Sequence, residues 1–250
     1  EIDPRWAEDA LACFEIKSSY AHDSAIVAHY RDGLTAGLDR RRAVGKLVNL
    51  SDLLVHEPLA GKAGIGHTRW ATHGAPSVGN AHPHRAGKVA VVHNGIIENH
   101  ETLRELQKVQ EHLFTSDTDT EVIVHAIYDR LAAGQDLLAA VQGTITTLEG
   151  AYALGVIDRE SPDTLVAARY GSPLVIGVGI GEYFIASDVF ALLPVTSRFI
   201  FLEEGDVADI RPGPRGSKPE WLTVADSVLY LTADGAIYLR GVQHLWKIGG

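Results

Sequence analysis

Apolar residues between positions 118 and 131 recur at the spacing of an α-helix. The apolar residues on one side are Val122, Ile123, Ala126, Ile127 and Leu131. Intervals of three and four residues predict an amphipathic helix. Thr118 and Glu121 have the spacing of a capping box, which predicts that this helix begins near Thr118. Similar patterns predict helices over residues 1–20, 99–113 and 137–148.

Short apolar runs separated by turn residues replace this pattern after Gly150. They predict strands over residues 151–157, 164–169, 174–178, 183–186, 199–202 and 207–210. Close spacing without intervening helices favours antiparallel pairing. The earlier runs 64–68 and 88–93 also predict strands, residues 23–28 turn towards an extended segment, and residues 40–48 are interpreted as a solvated connection or an edge. Helices combined with antiparallel strands predict an α+β fold.

The C-terminal part contains a Pro/Gly-rich segment and a hairpin signal. The composition of residues 211–219 predicts a loop. Asp234-Gly235 predicts a tight turn between strands at residues 228–232 and 236–239. We therefore expect residues 220–250 to form a hairpin and tail within the same domain.

Composition narrows the class of protein. An apolar fraction of 46% and a charged fraction of 22% are typical of a soluble globular chain. The net charge of −10 argues against a nucleic acid as the main partner, and no apolar run is long enough to predict a membrane span. A single Cys excludes an internal disulfide framework and fits a cytoplasmic location. The absence of Met predicts a processed, trimmed or altered product.

Three short phrases between Gly64 and Glu121 carry the candidate chemistry. Arg69 supplies a planar cation that can bind a carboxylate through two hydrogen bonds. Asp119 supplies a carboxylate that can pair with an ammonium group. Asn94-Gly95 offers a side-chain amide and an unshielded backbone N–H, which are the parts of an oxyanion hole. Together these groups suit a small zwitterion such as an amino acid.

The phrases occur in an order and spacing that resemble a known family. They include His67-Thr68-Arg69-Trp70-Ala71-Thr72-His73-Gly74, Ala81-His82-Pro83-His84, His93-Asn94-Gly95-Ile96-Ile97-Glu98-Asn99, Gly171-Ser172-Pro173-Leu174 and Phe184-Ile185-Ala186-Ser187-Asp188. Residues 23–210 resemble the glutaminase domain of the glutamine–fructose-6-phosphate aminotransferases, or glucosamine-6-phosphate synthases. These are class II glutamine amidotransferases of the N-terminal-nucleophile hydrolase group.

The resemblance implies an architecture and a reaction. The fold would be a four-layer αββα sandwich of two antiparallel sheets flanked by helices, with residues 1–250 as one domain. The reaction would be hydrolysis of L-glutamine to release ammonia, without a cofactor. Sugar-isomerase domains use that ammonia in the full-length enzymes, and nothing in this chain resembles them.

The resemblance also implies roles for individual residues. Asn94 and Gly95 would form the oxyanion hole, Arg69 would bind the glutamine α-carboxylate, and Asp119 would pair with its α-ammonium group. The implied substrate-binding set is Arg69, Trp70, Thr72, His73, His82 and Asp119. Without the resemblance, Arg69 would be interpreted as a surface cation, Asp119 as a helix-start carboxylate and Asn94-Gly95 as an ordinary turn.

Two other site types are not favoured by the spacing of residues. The 12 His residues do not show a metal-like array, so no metal is expected. Gly177, Gly179 and Gly181 alternate within a predicted strand-turn-strand segment rather than opening a helix, which disfavours a dinucleotide-phosphate loop.

The start of the chain departs from the family pattern. The family nucleophile is a Cys at the mature N-terminus, whose own α-amine acts as the base, whereas this chain opens with Glu1-Ile2-Asp3-Pro4. An ungapped alignment places the nucleophile upstream of Glu1. Cys13 falls on the apolar stripe of the predicted helix, where packing is the favoured interpretation. Three alternatives stay open: a glutaminase domain, a silent glutamine- or glutamate-binding module, and an assembly surface.

Overall fold

The computed structural model describes residues 23–32, 35–59, 63–179 and 182–211, together with four C-terminal strands. The predicted N-terminal helix, with Cys13, lies outside the described residues. So does the predicted loop at 211–219, apart from Arg211. No helix in the described part of the chain is long and apolar enough to cross a membrane.

Helices occupy the middle of the described chain and strands occupy both ends. In chain order the elements are β1 (Asp23–Asp32), β2 (Thr35–Val44), α1 (Leu47–His56), β3 (Ala63–Arg69), β4 (His84–Ala86), β5 (Val89–Ile97), α2 (His100–Val109), α3 (Thr120–Ala132), α4 (Leu137–Ile145), β6 (Gly150–Asp158), β7 (Ser161–Tyr170), β8 (Val175–Val178), β9 (Tyr183–Ala186), a 3₁₀ turn (Val189–Ala191), β10 (Phe199–Phe201), β11 (Val207–Ile210), β12 (Trp221–Val224), β13 (Ser227–Leu231), β14 (Ile237–Arg240) and β15 (Leu245–Ile248).

The described strands form one large and two small antiparallel sheets. The large sheet has the order β15-β14-β13-β12-β11-β7-β6-β5-β4, and the small sheets have the orders β2-β1-β3 and β10-β8-β9. In the large sheet Gly95 of β5 lies opposite Tyr152 of β6. The pairing of β13 with β14 confirms the predicted hairpin. β2 is an edge strand among the described residues, so the edge alternative for residues 40–48 holds as far as residue 44, whereas residues 47 and 48 belong to α1.

Alternation along β5 divides the core between the two faces of the large sheet. Val89, Val91 and Ile97 are buried against α3 and α4. Ala90 and Val92 point the other way and pack with residues of the first small sheet. A strand with apolar residues on both faces belongs in the middle of a layered fold, because each face needs its own cover.

The two small sheets cover the second face of the large sheet. A Cβ added to Gly155 of β6 would lie 2.7 Å from Ile185 of β9 and 3.7 Å from Ile65 of β3, so both small sheets approach the large sheet at this glycine. On the outside of the first small sheet, Leu47 and Leu50 of α1 are buried. The layers therefore run helix, sheet, sheet, helix, which confirms the predicted α+β, four-layer αββα sandwich.

Several predicted helix boundaries were wrong. Helix α3 begins at Thr120, and the Glu121 side chain bonds Thr115 and Ser116 rather than capping at Thr118. Helix α1 was not predicted, although its leucines recur at helical intervals. Helix α2 ends at Val109 instead of reaching residue 113, because Glu111 adopts a left-handed backbone with φ of 67°.

Glu111 suggests a stabilising substitution. The N–H groups of Glu111 and His112 bond the carbonyl groups of Lys108 and Gln107, which is the hydrogen-bond pattern of a Schellman C-cap. Glycine adopts this left-handed conformation without strain. We expect Glu111→Gly to raise the free energy of unfolding by roughly 0.5–1 kcal/mol, measured by urea denaturation. Glu105→Gly, at an exposed position inside α2, should lower it by about 1 kcal/mol; equal effects of the two changes would contradict the argument.

Candidate functional site

A cavity of about 380 Å³ lies where β3, β5 and the turn before α3 meet. All of the site residues predicted from the sequence line it: Arg69, Trp70, Thr72, His73, His82, Asn94, Gly95 and Asp119. They come from segments up to 50 positions apart in the sequence. The fold therefore brings these side chains together, and their roles remain predictions.

Arg69 lies at the end of β3 and shapes one wall of the cavity. Its guanidinium donates hydrogen bonds to the carbonyl groups of His73 at 3.0 Å and Ala75 at 3.2 Å. These contacts wrap the segment 70–75 around the end of the strand. Gly74 in this segment has a φ of 75°, and a Cβ there would lie 2.5 Å from the Asn80 amide nitrogen. Arg69 is 4% exposed, so its charge is largely desolvated.

Asp119 lies immediately before α3, where the helix dipole favours a negative charge. Its Oδ2 accepts a hydrogen bond from the backbone N–H of Ile97 at 2.9 Å and lies 3.9 Å from Nδ1 of His93. The residue is 4% exposed. A buried carboxylate in this position is well suited to a cationic group of a ligand.

Asn94 and Gly95 occupy adjacent positions near the end of β5. Gly95 has a φ of 139°, and a Cβ at this position would lie 2.1 Å from the carbonyl oxygen of Ala151. The strand therefore requires glycine at this point. The missing side chain leaves the backbone of β5 accessible from the cavity. Trp70, which is 64% exposed, lies at the outer side of the same cavity.

Buried histidines form a hydrogen-bond chain behind Asp119. The Thr120 hydroxyl lies 3.0 Å from Nδ1 of His93 and 3.2 Å from Nε2 of His82, and Nε2 of His93 lies 3.3 Å from the Ala151 carbonyl. A carbonyl can only accept, so a neutral His93 carries its proton on Nε2. Thr120 then donates to His93 and accepts from His82. The Ala151 carbonyl thus fixes the tautomer of His93, and the Thr120 hydroxyl then fixes that of His82.

Comparison with protein families identifies the group to which this chain belongs. The sequence model of the glutamine amidotransferase domain matches residues 55–209, which is more than half of the chain. The chain belongs to the glutamine amidotransferase domain family. The matched segment contains every residue named above as lining the cavity.

Curated members of this family share more than half of their aligned residues with the chain. It is 58% identical over 190 residues to the glutamine–fructose-6-phosphate aminotransferase of Shewanella oneidensis, covering 76% of this chain and 31% of that protein. It is 52% identical over 223 residues to the enzyme of the same name from Pseudomonas syringae, covering 88% of this chain and 34% of that protein. These matches confirm the predicted resemblance. The chain spans about a third of the length of these relatives.

Solved structures of other amidotransferases share the fold. The glutamine phosphoribosylpyrophosphate amidotransferase of B. subtilis aligns with a TM-score of 0.64 at 22% identity, covering 86% of this chain and 45% of that chain. A second structure, an allosteric regulatory enzyme of purine biosynthesis, aligns with a TM-score of 0.63 at 23% identity and covers 81% of this chain and 44% of that chain. At these identities the likeness supports the glutamine amidotransferase fold alone.

Five further residues of this amidotransferase domain line the cavity but were not predicted as site residues. They are His67, Thr68, His93, Ile96 and Thr118. His67, Thr68, His93 and Ile96 lie within the sequence phrases quoted for the family resemblance, and Thr118 directly precedes Asp119. The alternation of residues along a strand could not have identified Thr68 and His93. Both faces of these strands are covered, and the pattern does not show which face lines a cavity.

Burial favours the neutral form of three histidines in this site or next to it. It lowers the pKa of His67 to about 3, with the nearby His93 and Arg69 acting in the same direction. It also lowers the pKa of His84 to about 3, assisted first by Arg40, and the pKa of His93, although Asp119 opposes that change. Among the described residues, no three His, Cys, Asp or Glu side chains are arranged to hold a metal ion.

These shifts predict that acid destabilises the domain. A histidine whose pKa falls from about 6.5 unfolded to about 3 folded binds fewer protons in the folded state, so stability is lost as the pH falls from about 6.5 towards 3. At pH 5 the loss should be about 2 kcal/mol for each such histidine relative to pH 8. Urea denaturation at both pH values measures this loss. His84→Gln should reduce the difference by about 2 kcal/mol, whereas Val55→Ala, at an exposed position without a titratable group, should leave it unchanged; an unchanged difference in His84→Gln would contradict the prediction.

Proposed function

We propose that this chain is the glutamine-hydrolysing, ammonia-producing domain of a glucosamine-6-phosphate synthase-like aminotransferase. The observation that carries the proposal is the placement of Arg69 and Asp119, one desolvated cation and one desolvated anion, on the wall of the same cavity. At about 380 Å³ the cavity is at the small end of the usual range for ligand pockets, about 300–1,000 Å³. A free amino acid presents both charges on one carbon atom.

The proposed orientation of glutamine follows from these charges. The Arg69 guanidinium binds the α-carboxylate, and Asp119 binds the α-ammonium group. The glutamine side chain then directs its amide towards Asn94 and Gly95, whose amide groups stabilise the negative oxygen that develops during hydrolysis. Thr72, His73 and His82 contact the bound amino acid, and Trp70 lies over it at the cavity mouth.

Hydrolysis of an amide also requires a nucleophile and a base. The described residues supply the groups proposed to bind glutamine and a candidate oxyanion hole, and they include no cysteine. The one Cys of the sequence, Cys13, is not among them. A second candidate function is the binding of glutamine or glutamate without turnover, which needs only the charged groups of Arg69 and Asp119 on the cavity wall.

One preparation can test both candidates. Calorimetric titration with glutamine measures binding, and an enzyme-coupled assay for glutamate measures turnover. We expect the chain to bind glutamine. Release of glutamate would support the hydrolysing domain, and binding without release would support the silent module. Turnover that survives Cys13→Ala but is lost with Arg69→Gln would reject the silent module. Intact-mass analysis of the protein from its natural source would show whether a Cys precedes Glu1.

This chain spans about a third of the length of its curated relatives. We extend the proposal to a full-length enzyme of that kind. We propose that residues 1–250 form one glutaminase domain, that sugar-isomerase domains follow in the full-length enzyme, and that the enzyme works in cytoplasmic amino-sugar biosynthesis without a cofactor. Ammonia production by the domain alone, without transfer to a sugar phosphate, would be consistent with this division. Transfer by the 250-residue chain alone would contradict it.

A further inference from the structure

The turn at residues 115–119, which carries Asp119, is held by a carboxylate outside the cavity. Glu121, in the first turn of α3, is 3% exposed. Its two oxygens accept hydrogen bonds from the backbone N–H and the hydroxyl group of both Thr115 and Ser116, at distances between 2.6 and 2.9 Å. These four hydrogen bonds fix the start of the turn.

Arg104 of α2 holds the same turn by donating hydrogen bonds to the carbonyl groups of the turn. Nη1 donates to the carbonyl of Ser116 at 2.9 Å, and Nη2 donates to the carbonyl of Thr118 at 2.6 Å. The guanidinium lies 4.3 Å from the centre of the Phe114 ring, which limits its rotation. The planar fork of arginine matches two carbonyl groups in a way that a lysine ammonium cannot reproduce.

The Asp119 carboxylate, carried by this turn, does not cap α3. Asp119 occupies the N-cap position of α3 but makes no side-chain cap hydrogen bond. Asp136, at the N-cap of α4, does accept from the N–H of Ala139 at 2.8 Å. Asp136 has the extended backbone of a capping residue, whereas Asp119 has a helical backbone with φ of −63° and ψ of −27°, from which the side chain does not cap. Asp119 instead accepts from Ile97 in β5 and lines the cavity.

We propose that Arg104 and Glu121 are positioning residues for the α-ammonium group of the ligand. They hold the 115–119 turn and so fix the position of the Asp119 carboxylate in the cavity. Neither side chain lines the cavity, so each acts on the ligand through the turn that carries Asp119. The inference rests on the proposed function, because it takes Asp119 as the partner of the glutamine ammonium group.

The test compares glutamine with 4-carbamoylbutanoate, which is glutamine without its α-amino group. Ligand-observed NMR titrations of the full 250-residue chain can measure weak affinities for both. Arg104→Gln and Glu121→Gln should each weaken glutamine binding about tenfold or more, and should change the affinity for 4-carbamoylbutanoate less than about twofold. Arg198→Gln, at an exposed position, is the matched control and should change neither.

A double-mutant cycle separates positioning from general loosening. In an Asp119→Asn background, Arg104→Gln should cause no further loss of glutamine affinity. Equal losses for both ligands, or an additive loss in the double variant, would overturn the positioning role. Arg104 is half-buried on α2, so Arg104→Gln carries the test if Glu121→Gln does not fold. Glutamine binding that needs Asp119 but neither Arg104 nor Glu121 overturns this inference alone, whereas no glutamine binding by the unaltered chain overturns the proposed function and this inference with it.

Discussion

Arg69→Gln should lower the affinity of the chain for glutamine at least about 100-fold. A hydrogen bond to a charged group contributes about 1.5–3 kcal/mol, and the guanidinium can make two to the α-carboxylate. Glutamine at position 69 keeps polarity but removes the charge. Arg69→Lys keeps the charge and loses the fork, so its loss should be intermediate. Calorimetric or NMR titration measures the affinity for glutamine of the unaltered chain, Arg69→Gln and Arg69→Lys.

A second ligand separates this effect from a change in shape. Arg69 also donates to the carbonyl groups of His73 and Ala75, so its replacement loosens the cavity wall as well. 4-Aminobutanamide is glutamine without its α-carboxylate. Its affinity should fall much less than that of glutamine in Arg69→Gln. Equal losses for the two ligands would mean that Arg69 acts only on the wall, and unchanged glutamine binding would remove Arg69 from the site.

Gly95→Ala should destabilise the domain by about 4 kcal/mol or more, or prevent folding. The added Cβ would lie 2.1 Å from the oxygen and 2.7 Å from the carbon of the Ala151 carbonyl. Both atoms belong to the backbone of the neighbouring strand β6, so they cannot move without separating two paired strands of the large sheet. The φ of 139° adds strain for any residue with a side chain.

Gly134→Ala is the matched control for this substitution. Gly134 also has a positive φ, of 90°, but a Cβ there would have no atom within 4 Å. It should cost only about 1 kcal/mol. Urea denaturation of both variants measures the difference. A Gly95→Ala protein as stable as Gly134→Ala would show that β5 and β6 are not packed as described.

Most strands after Gly150 could be predicted from the sequence, whereas the end of α2 and the start of α3 could not. Runs such as residues 183–186 and 207–210 coincide with observed strands, because local alternation and turn residues determine them. The ends of α2 and α3 depend on interactions that no local pattern shows. Glu121 reaches back five and six residues to Ser116 and Thr115, and Glu111 adopts a backbone conformation that is uncommon for its residue type.

The candidate site could be predicted from the sequence only through the family resemblance. Arg69 and Asp119 are 50 positions apart, and each taken alone fits an ordinary surface or helix-start role. Their common cavity depends on the contact of β3 and β5 with the turn before α3, which is a property of the folded chain. The contacts of Arg104 with that turn were also beyond prediction, because α2 and the turn are separated by a loop whose path the sequence does not specify.

The central claim is that Arg69 and Asp119 bind the two charged groups of one amino acid. A crystal structure of the chain grown with glutamine tests it most directly. It should show the α-carboxylate within hydrogen-bond distance of the Arg69 guanidinium, the ammonium group against Asp119, and the amide oxygen directed towards Asn94 and Gly95. Glutamine bound elsewhere, or bound in this cavity with its ammonium group away from Asp119, would contradict the claim.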